Sequence, residues 1–233
     1  MPGTIGKTSK LIGAEQSSRP KGVSGFERSG NPEISVHIGI LALQGDFQMH
    51  LEMCALVDGV EARTVKTPAE IEACDGLIIP GGESTTVGKL MERYGIDEAI
   101  RKGAAQGMAV FGTCMGMIML AKDIEGSNQQ RLGLMDMTVL RNAFGRQVDS
   151  FETDLNVPAI GEKPIRAVFI RAPFVTEVRG EAKALATLET GEIVMVQQGN
   201  LLAAAFHPEL TGDARVHEYF AAMARPRSIP GRN

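Results

Sequence analysis

The stretch MAVFGTCMGM, Met108 to Met117, contains the transition on which the fold prediction depends. Its first six residues form a short apolar run typical of a buried parallel strand, and helical spacing follows from Met115 to Lys122. Gly112 and Gly116 flank Cys114 and permit a tight turn between the strand and the helix. The pattern G-x-C-x-G therefore predicts a nucleophile elbow, which presents a reactive side chain at a helix N-terminus.

The alternation of apolar runs and helical spacing extends on both sides of this turn. Upstream, strand-like runs are VHIGILAL (36–43), EARTVK (61–66) and GLIIP (76–80), and helical segments are 47–57, a start led by Pro68, 83–93 and 97–106. Strands separated by about 10 to 15 residues of helix predict β-α-β units. We therefore predict an α/β fold with three layers, in which a doubly wound, mostly parallel sheet has helices on both faces.

After Gly126 the pattern changes to short β-type segments separated by Gly, Pro and Asn. These segments are MDMTVLRN (135–142), AVFIRAP (167–173), AKALATLE (182–189), EIVMVQQG (192–199) and NLLAAAFH (200–207). They predict extra, partly antiparallel strands on the same sheet. The last predicted element is an amphipathic helix at 214–223.

The two ends of the chain differ from the middle. Residues 1–35 are rich in Gly, Ser and basic residues and have no sustained apolar period, so we interpret them as a flexible N-terminal extension. Residues 36–224 form the predicted domain, and 225–233 a polar, Pro-containing tail.

Composition excludes several classes of protein. The 233 residues carry 24 basic and 28 acidic side chains, a net charge of −4, which argues against a nucleic-acid partner. Three cysteines without a C-x-x-C pair or a histidine-rich cluster argue against a disulfide framework or a metal site. No apolar stretch approaches the ~18 residues of a membrane span. We expect a soluble, cytoplasmic α/β protein.

A nucleophilic cysteine needs a base and a group that orients the base. Among the four histidines, His207 follows an apolar run and begins the sequence His-Pro-Glu. Pro208 favours an extended conformation for His207, and residues i and i+2 of an extended chain project to the same side, so Glu209 can reach the imidazole. We predict a Cys114–His207–Glu209 triad. The remaining histidines are expected to have ordinary, partly solvated roles: His37 in a strand, and His50 and His217 in helices. Cys54 and Cys74 are interpreted as packing residues.

A second glycine-rich turn, PGGESTT (80–86), lies at the carboxyl end of a predicted strand and opens a helix. It could bind a phosphate, although the G-x-x-x-x-G-K-[ST] spacing is absent. It could form an oxyanion hole facing Cys114, because both turns lie at carboxyl ends of strands. A plain strand-to-helix turn is the third interpretation.

Together these motifs resemble the class I, triad-type glutamine amidotransferases, and most closely the branch formed by the glutaminase subunits of pyridoxal 5′-phosphate synthase. The resembling stretches are LALQGD (41–46), GLIIPGGESTT (76–86), FGTCMG (111–116), RNAFGRQVDSFE (141–152), VFIRAP (168–173) and FHPELT (206–211). The GGESTT and RNxFGRQxDSFE strings are specific to that branch, whereas G-x-C-x-G is shared more widely.

The resemblance implies that the triad hydrolyses L-glutamine to glutamate and ammonia without a cofactor, and that ammonia passes to a separate synthase subunit in a heteromeric complex. It also implies contacts with glutamine from Gly82, Glu83, Ser84, Arg141, Ile170 and Arg171. Backbone N–H groups near Gly82 and Met115 are expected to form the oxyanion hole. We implicate Gln44 and Gly45 in gating that hole when the synthase subunit docks.

Two other classes of function are weighed against this one. A cysteine peptidase or stress protein of the related fold tends to have a histidine directly after the nucleophile, where this chain has Met115. An inactive subunit that only caps a synthase would not need the intact triad. Ammonia release from glutamine discriminates between these functions.

Overall fold

The computed structural model describes residues 35–141 and 150–225. In its first part, strands alternate with helices: β1 (Val36–Leu41), α1 (Phe47–Cys54), β2 (Val60–Val65), α2 (Pro68–Glu72), β3 (Gly76–Ile79), α3 (Ser84–Arg93), α4 (Ile96–Ala105), β4 (Ala109–Thr113) and α5 (Met115–Leu120). The second part is mainly strands: β5 (Ala121–Ile124), β6 (Met135–Leu140), β7 (Ser150–Leu155), β8 (Ile165–Ile170), β9 (Phe174–Val178), β10 (Lys183–Thr187), β11 (Ile193–Gln198) and β12 (Leu201–Ala204), then a 3₁₀ turn (Pro208–Leu210) and α6 (Arg215–Ala224).

Ten of these strands form one central sheet in the order β2-β1-β3-β4-β12-β11-β9-β6-β5, with β10 paired to β11. Neighbours from β2 to β12 are parallel, and the pairs beyond β12 are antiparallel apart from β5 with β6. Strands β3, β4 and β12 are buried along their whole length, which explains their continuous apolar runs. The predicted mixed α/β fold, with antiparallel strands in the C-terminal half, is confirmed.

The helices divide into two groups. Helices α1 and α6 contact each other and β1, whereas α2 contacts α4, α4 contacts α3, and α3 contacts α5. Parallel strands are joined by right-handed crossovers, so the connection from β1 to β2 and the connection from β2 back across β1 to β3 run on opposite faces of the sheet. The sheet is therefore covered on both faces.

Three predicted elements differ from the structure, the first being the helix expected at 47–57, which ends at Cys54. AVFIRAP was expected on the central sheet, but β8 pairs with β7 in a separate two-stranded sheet. In β8 buried and more exposed residues alternate, so only one of its faces packs on the core. The helix expected to reach Lys122 ends at Leu120, because Ala121 turns extended and starts β5, which pairs with β6.

Nearly all of the predicted extension and tail, as well as residues 142–149 of the RNAFGRQVDSFE motif, lie outside the described residues. Within the described ranges, no helix combines the length and apolar character needed to cross a membrane. The same ranges contain no cluster of three or more His, Cys, Asp or Glu side chains suited to a metal ion.

Candidate active site

Cys114 lies in the turn between β4 and α5, and its backbone has φ 49° and ψ −104°. A positive φ is strained for a residue with a side chain, and it persists only where the surroundings hold it. The Cys114 N–H donates to Ala204 O at 2.8 Å, which ties the turn to β12. A Cβ on Gly112 would lie 2.4 Å from the Gly116 backbone, and one on Gly116 would lie 2.3 Å from Ile79 O. Both glycines are therefore required by close backbone packing.

His207 follows β12, and its Nδ1 lies 2.7 Å from Glu209 Oε1. The predicted route to this contact is wrong, because Pro208 and Glu209 are part of a 3₁₀ turn rather than an extended strand. The turn brings the carboxylate back under the imidazole that precedes it. The His207 backbone N–H donates to Val168 O at 2.8 Å, so β8 holds the residue from the other side.

The side chains of Cys114 and His207 meet above Gly81. The position of a Cβ on Gly81 would be 3.6 Å from Cys114 Cβ and 2.6 Å from His207 Cε1. Burial alone would lower the pKa of His207, but hydrogen bonds with Cys114 and Glu209 outweigh burial and raise the pKa to about 10. The surroundings of His207 therefore favour its protonated form.

Glu209 is 1% exposed, and its Oε2 lies 3.4 Å from Nε2 of His50. Burial would raise the pKa of this carboxyl, but the hydrogen bond with His207 and the nearby imidazoles lower it. The expectation of partly solvated roles for His50 and His217 is wrong, because both are buried, with Nδ1 of His50 3.0 Å from Nε2 of His217. Helices α1 and α6 pack together, and the two rings satisfy part of each other's hydrogen bonding there.

The glycine-rich turn after β3 lies beside the loop after β1. The Glu83 N–H donates to Gln44 Oε1 at 3.3 Å, and a Cβ on Gly45 would lie 1.7 Å from Gly81 O. A Cβ on Gly82 would lie 3.5 Å from the Met115 methyl group and 3.7 Å from Gln44 Oε1. The structure therefore brings together the residues predicted to form and gate an oxyanion hole.

Glu83 serves a further purpose as the N-cap of α3. Its carboxylate accepts hydrogen bonds from the backbone N–H groups of Thr85 and Thr86, at 3.0 and 2.8 Å. Hydrogen bonds from Thr86 and then Thr85 lower the pKa of Glu83 to about 2. Both carboxylate oxygens of Glu83 are therefore engaged in capping α3.

Sequence reasoning missed Gln129, which joins two of the residues predicted to bind substrate. Its Oε1 accepts from Ser84 Oγ at 3.3 Å and also from Nη1 of Arg141, while its Nε2 is buried and has no hydrogen-bond partner among the residues that the structure describes. The flanking segment 125–131 has neither periodicity nor a motif, so no sequence signal marked this residue.

Two other predicted substrate contacts follow from β8. The Ile170 carbonyl oxygen lies 3.8 Å from Cys114 Sγ, so this residue borders the nucleophile. Arg171 has φ 43° and an exposed side chain.

Comparisons with known proteins agree on one family. Residues 40–225 match the model of the SNO glutamine amidotransferase family. The chain is 56% identical over 188 residues to "Pyridoxal 5'-phosphate synthase subunit PdxT" of Moorella thermoacetica, covering 81% of this chain and 99% of the relative. It is 52% identical over 195 residues to the protein of the same name from Streptomyces avermitilis, covering 83% and 96%.

Solved structures extend the comparison to the fold. A crystal structure of a glutamine amidotransferase is 49% identical, with a TM-score of 0.76, and the match covers 80% of this chain and 98% of the other. PurLQS from Thermotoga maritima, at 16% identity and a TM-score of 0.60, shares the fold; the match covers 82% of this chain and all of the other. With the family match spanning most of its length, the chain belongs to the SNO glutamine amidotransferase family.

Proposed function

We propose that this chain is the glutaminase subunit of a pyridoxal 5′-phosphate synthase and that it hydrolyses L-glutamine to glutamate and ammonia. The observation that carries the proposal is the position of Cys114 on a strained elbow beside His207, whose Nδ1 lies 2.7 Å from the buried carboxylate of Glu209. The relatives at 52–56% identity, named for that synthase, support the same assignment.

In the proposed reaction the Cys114 thiolate attacks the side-chain amide carbon of glutamine, forming a C–S bond and an oxyanion. The N–H groups of Gly82 and Met115 would stabilise that oxyanion. The His207 imidazolium gives its proton to the amide nitrogen as the C–N bond breaks and ammonia leaves. Neutral His207 then takes a proton from the water that attacks the thioester, and breaking the C–S bond releases glutamate and restores the thiolate.

Substrate binding is assigned to the turn and strand ends around the triad. Arg141 would pair with the α-carboxylate of glutamine, because a guanidinium binds carboxylates through paired hydrogen bonds. Gln129, which contacts both Ser84 and Arg141, would keep that guanidinium in place. Gly82, Glu83, Ile170 and Arg171 complete the proposed contacts.

The ammonia would pass to a separate synthase subunit in a heteromeric, cytoplasmic complex. Docking of that subunit would order the Gly82 peptide so that its N–H points at the oxyanion, through Gln44 and Gly45, which contact the glycine-rich turn. One such donor is worth about a hundredfold in rate. The glutaminase reaction itself uses side chains and water and requires no cofactor.

Ammonia release from glutamine tests the proposal, measured for the purified chain alone and with its cognate synthase subunit. We expect weak activity alone, a large increase with the partner, and none in Cys114→Ala. Cys54→Ala is the matched control, because burial raises the pKa of the Cys54 thiol to about 12 and its side chain packs in the core. Ammonia release that survives in Cys114→Ala would contradict the assignment of the nucleophile.

A further inference from the structure

Two buried histidines lie next to the triad, and the proposed reaction does not use them. His50 in α1 and His217 in α6 are at most 1% exposed. His50 Nδ1 is 3.0 Å from His217 Nε2, whereas His50 Nε2 is 3.3 Å from Thr113 Oγ1 and 3.4 Å from Glu209 Oε2. His50 therefore connects α6 to the carboxylate that orients His207.

The hydrogen-bonding capacities of these groups determine which atom donates and which accepts in each contact between His217, His50 and Glu209. An ionised carboxylate only accepts, and Glu209 Oε2 is buried without a formed hydrogen bond to any part of the chain that the structure describes. If His50 carries its proton on Nε2, that N–H faces Oε2, and a movement of about 0.4 Å would bring the pair to an ordinary hydrogen-bond length. Nδ1 of His50 is then unprotonated, and its lone pair must accept a hydrogen bond from the Nε2–H of His217.

The opposite tautomers leave two groups unsatisfied. With its proton on Nδ1, His50 would donate to His217 Nε2. Its own Nε2 lone pair could then accept from the Thr113 hydroxyl at 3.3 Å, but Glu209 Oε2 would be left without a donor. His217 would then carry its proton on Nδ1, which is buried and has no partner within residues 35–141 and 150–225. Orphaned buried N–H groups are rarer than under-satisfied acceptors, so this arrangement is disfavoured.

Burial favours the neutral form of both rings. Burial lowers the pKa of His217 to about 3, and it also lowers the pKa of His50. The charged and titratable groups that act on His50 are Glu209, His207, Asp46 and His217.

We propose that His50 is a positioning residue for the glutaminase reaction, whose Nε2–H completes the hydrogen bonding of Glu209, and that His217 fixes the tautomer of His50. The relay would then run from Cys114 through His207, Glu209 and His50 to His217. A hydrogen bond from His50 to Oε2 would fix the orientation of the carboxylate, so that Oε1 stays within hydrogen-bond distance of His207. Residues that surround a buried site commonly orient its functional groups in this way. This inference rests on the proposed glutaminase function.

Kinetics of the complex with the cognate synthase subunit provide the first test. His50→Leu removes the donor, and we expect kcat to fall about tenfold, the value of a hydrogen bond to a charged group, with KM within about twofold. His50→Gln keeps an N–H donor and should recover most of the loss. His37→Leu is the matched control, because His37 is exposed on β1 and contacts Glu61 and Asp75 rather than the triad.

A double-mutant cycle separates positioning from general destabilisation. If His50 acts through Glu209, His50→Leu should cost less than about twofold in a Glu209→Ala background. The same tenfold loss in that background would overturn the proposal.

Ring ¹⁵N spectra of the wild-type chain give a readout that does not depend on activity. We expect His50 and His217 to show neutral rings protonated on Nε2 from about pH 5 to about pH 8, across the range in which a free imidazole titrates. A His50 ring protonated on Nδ1 would overturn the inference. If the complex releases no ammonia from glutamine, the proposed function fails, and the spectra still decide the tautomers.

Discussion

Replacing Gly81 by alanine would displace the His207 imidazole while leaving every triad side chain chemically unchanged. The new methyl carbon would lie 2.6 Å from His207 Cε1, and the ring would have to retreat by about 0.8 Å to reach an ordinary contact of 3.4 Å. Gly81 does not have a left-handed φ, so its backbone accepts an alanine. A misplacement near 1 Å costs about a hundredfold in rate. We therefore expect kcat to fall 30- to 100-fold, about 2 to 2.7 kcal/mol.

Steady-state ammonia release by the complex with the cognate synthase subunit measures this effect, and circular dichroism checks the fold. Gly103→Ala is the matched control, because its Cβ would lie 2.7 Å from the terminal methyl group of Met108, which can move aside. Gly103 is in α4, away from the triad, so its variant should keep full activity. A folded Gly81→Ala enzyme with kcat within threefold of wild type would refute the idea that the present imidazole position is required.

Three other predictions follow from the site and its surroundings. His207→Asn should be nearly as damaging as loss of the nucleophile, and Glu209→Gln should be milder, because Glu209 orients the base without exchanging the transferred proton; the reverse order of kcat values would show that the roles are exchanged. Glu83→Ala removes the cap of α3 and should cost about 1 kcal/mol in urea unfolding, and an unchanged midpoint would argue against the cap. The pKa of His217 is lowered to about 3 by burial, so the unfolded chain binds a proton below pH 6.5 that the folded chain does not, and stability is lost as the pH falls. By pH 5, His217 should account for a loss of about 2 kcal/mol in the free energy of unfolding. His217→Gln should remove this part of the loss. Equal losses in the wild-type protein and in His217→Gln would contradict the assignment.

Local patterns were sufficient where a short segment determines its own conformation. The elbow around Cys114 could be predicted because two glycines between a strand and a helix permit the tight turn and the close backbone packing that it needs. The parallel half of the sheet could be predicted because strands buried on both faces, such as β3 and β4, are continuously apolar.

Features that depend on contacts between distant segments could not be predicted in this way. Helical spacing placed His50 and His217 on helices, but their burial results from the packing of α1 against α6, 167 residues apart along the chain. β8 has the same apolar, branched composition as a strand of the central sheet, and only the pairing with β7 separates it. Gln129 lies in an irregular segment, where its contacts with Ser84 and Arg141 left no pattern in the sequence.

Strand order explains why residues far apart in the sequence meet at one site. β1, β3, β4 and β12 are parallel neighbours, and the segments that follow them carry Gln44, Gly81, Cys114 and His207. Parallel strands end at the same edge of a sheet, so each of the four connections delivers one functional residue to that edge. In the antiparallel half the strand ends alternate between edges, so neighbouring strands there do not all end on the same side. The Ile170 carbonyl oxygen, which borders Cys114 Sγ, accordingly comes from β8. That strand belongs to the separate two-stranded sheet and not to the central sheet.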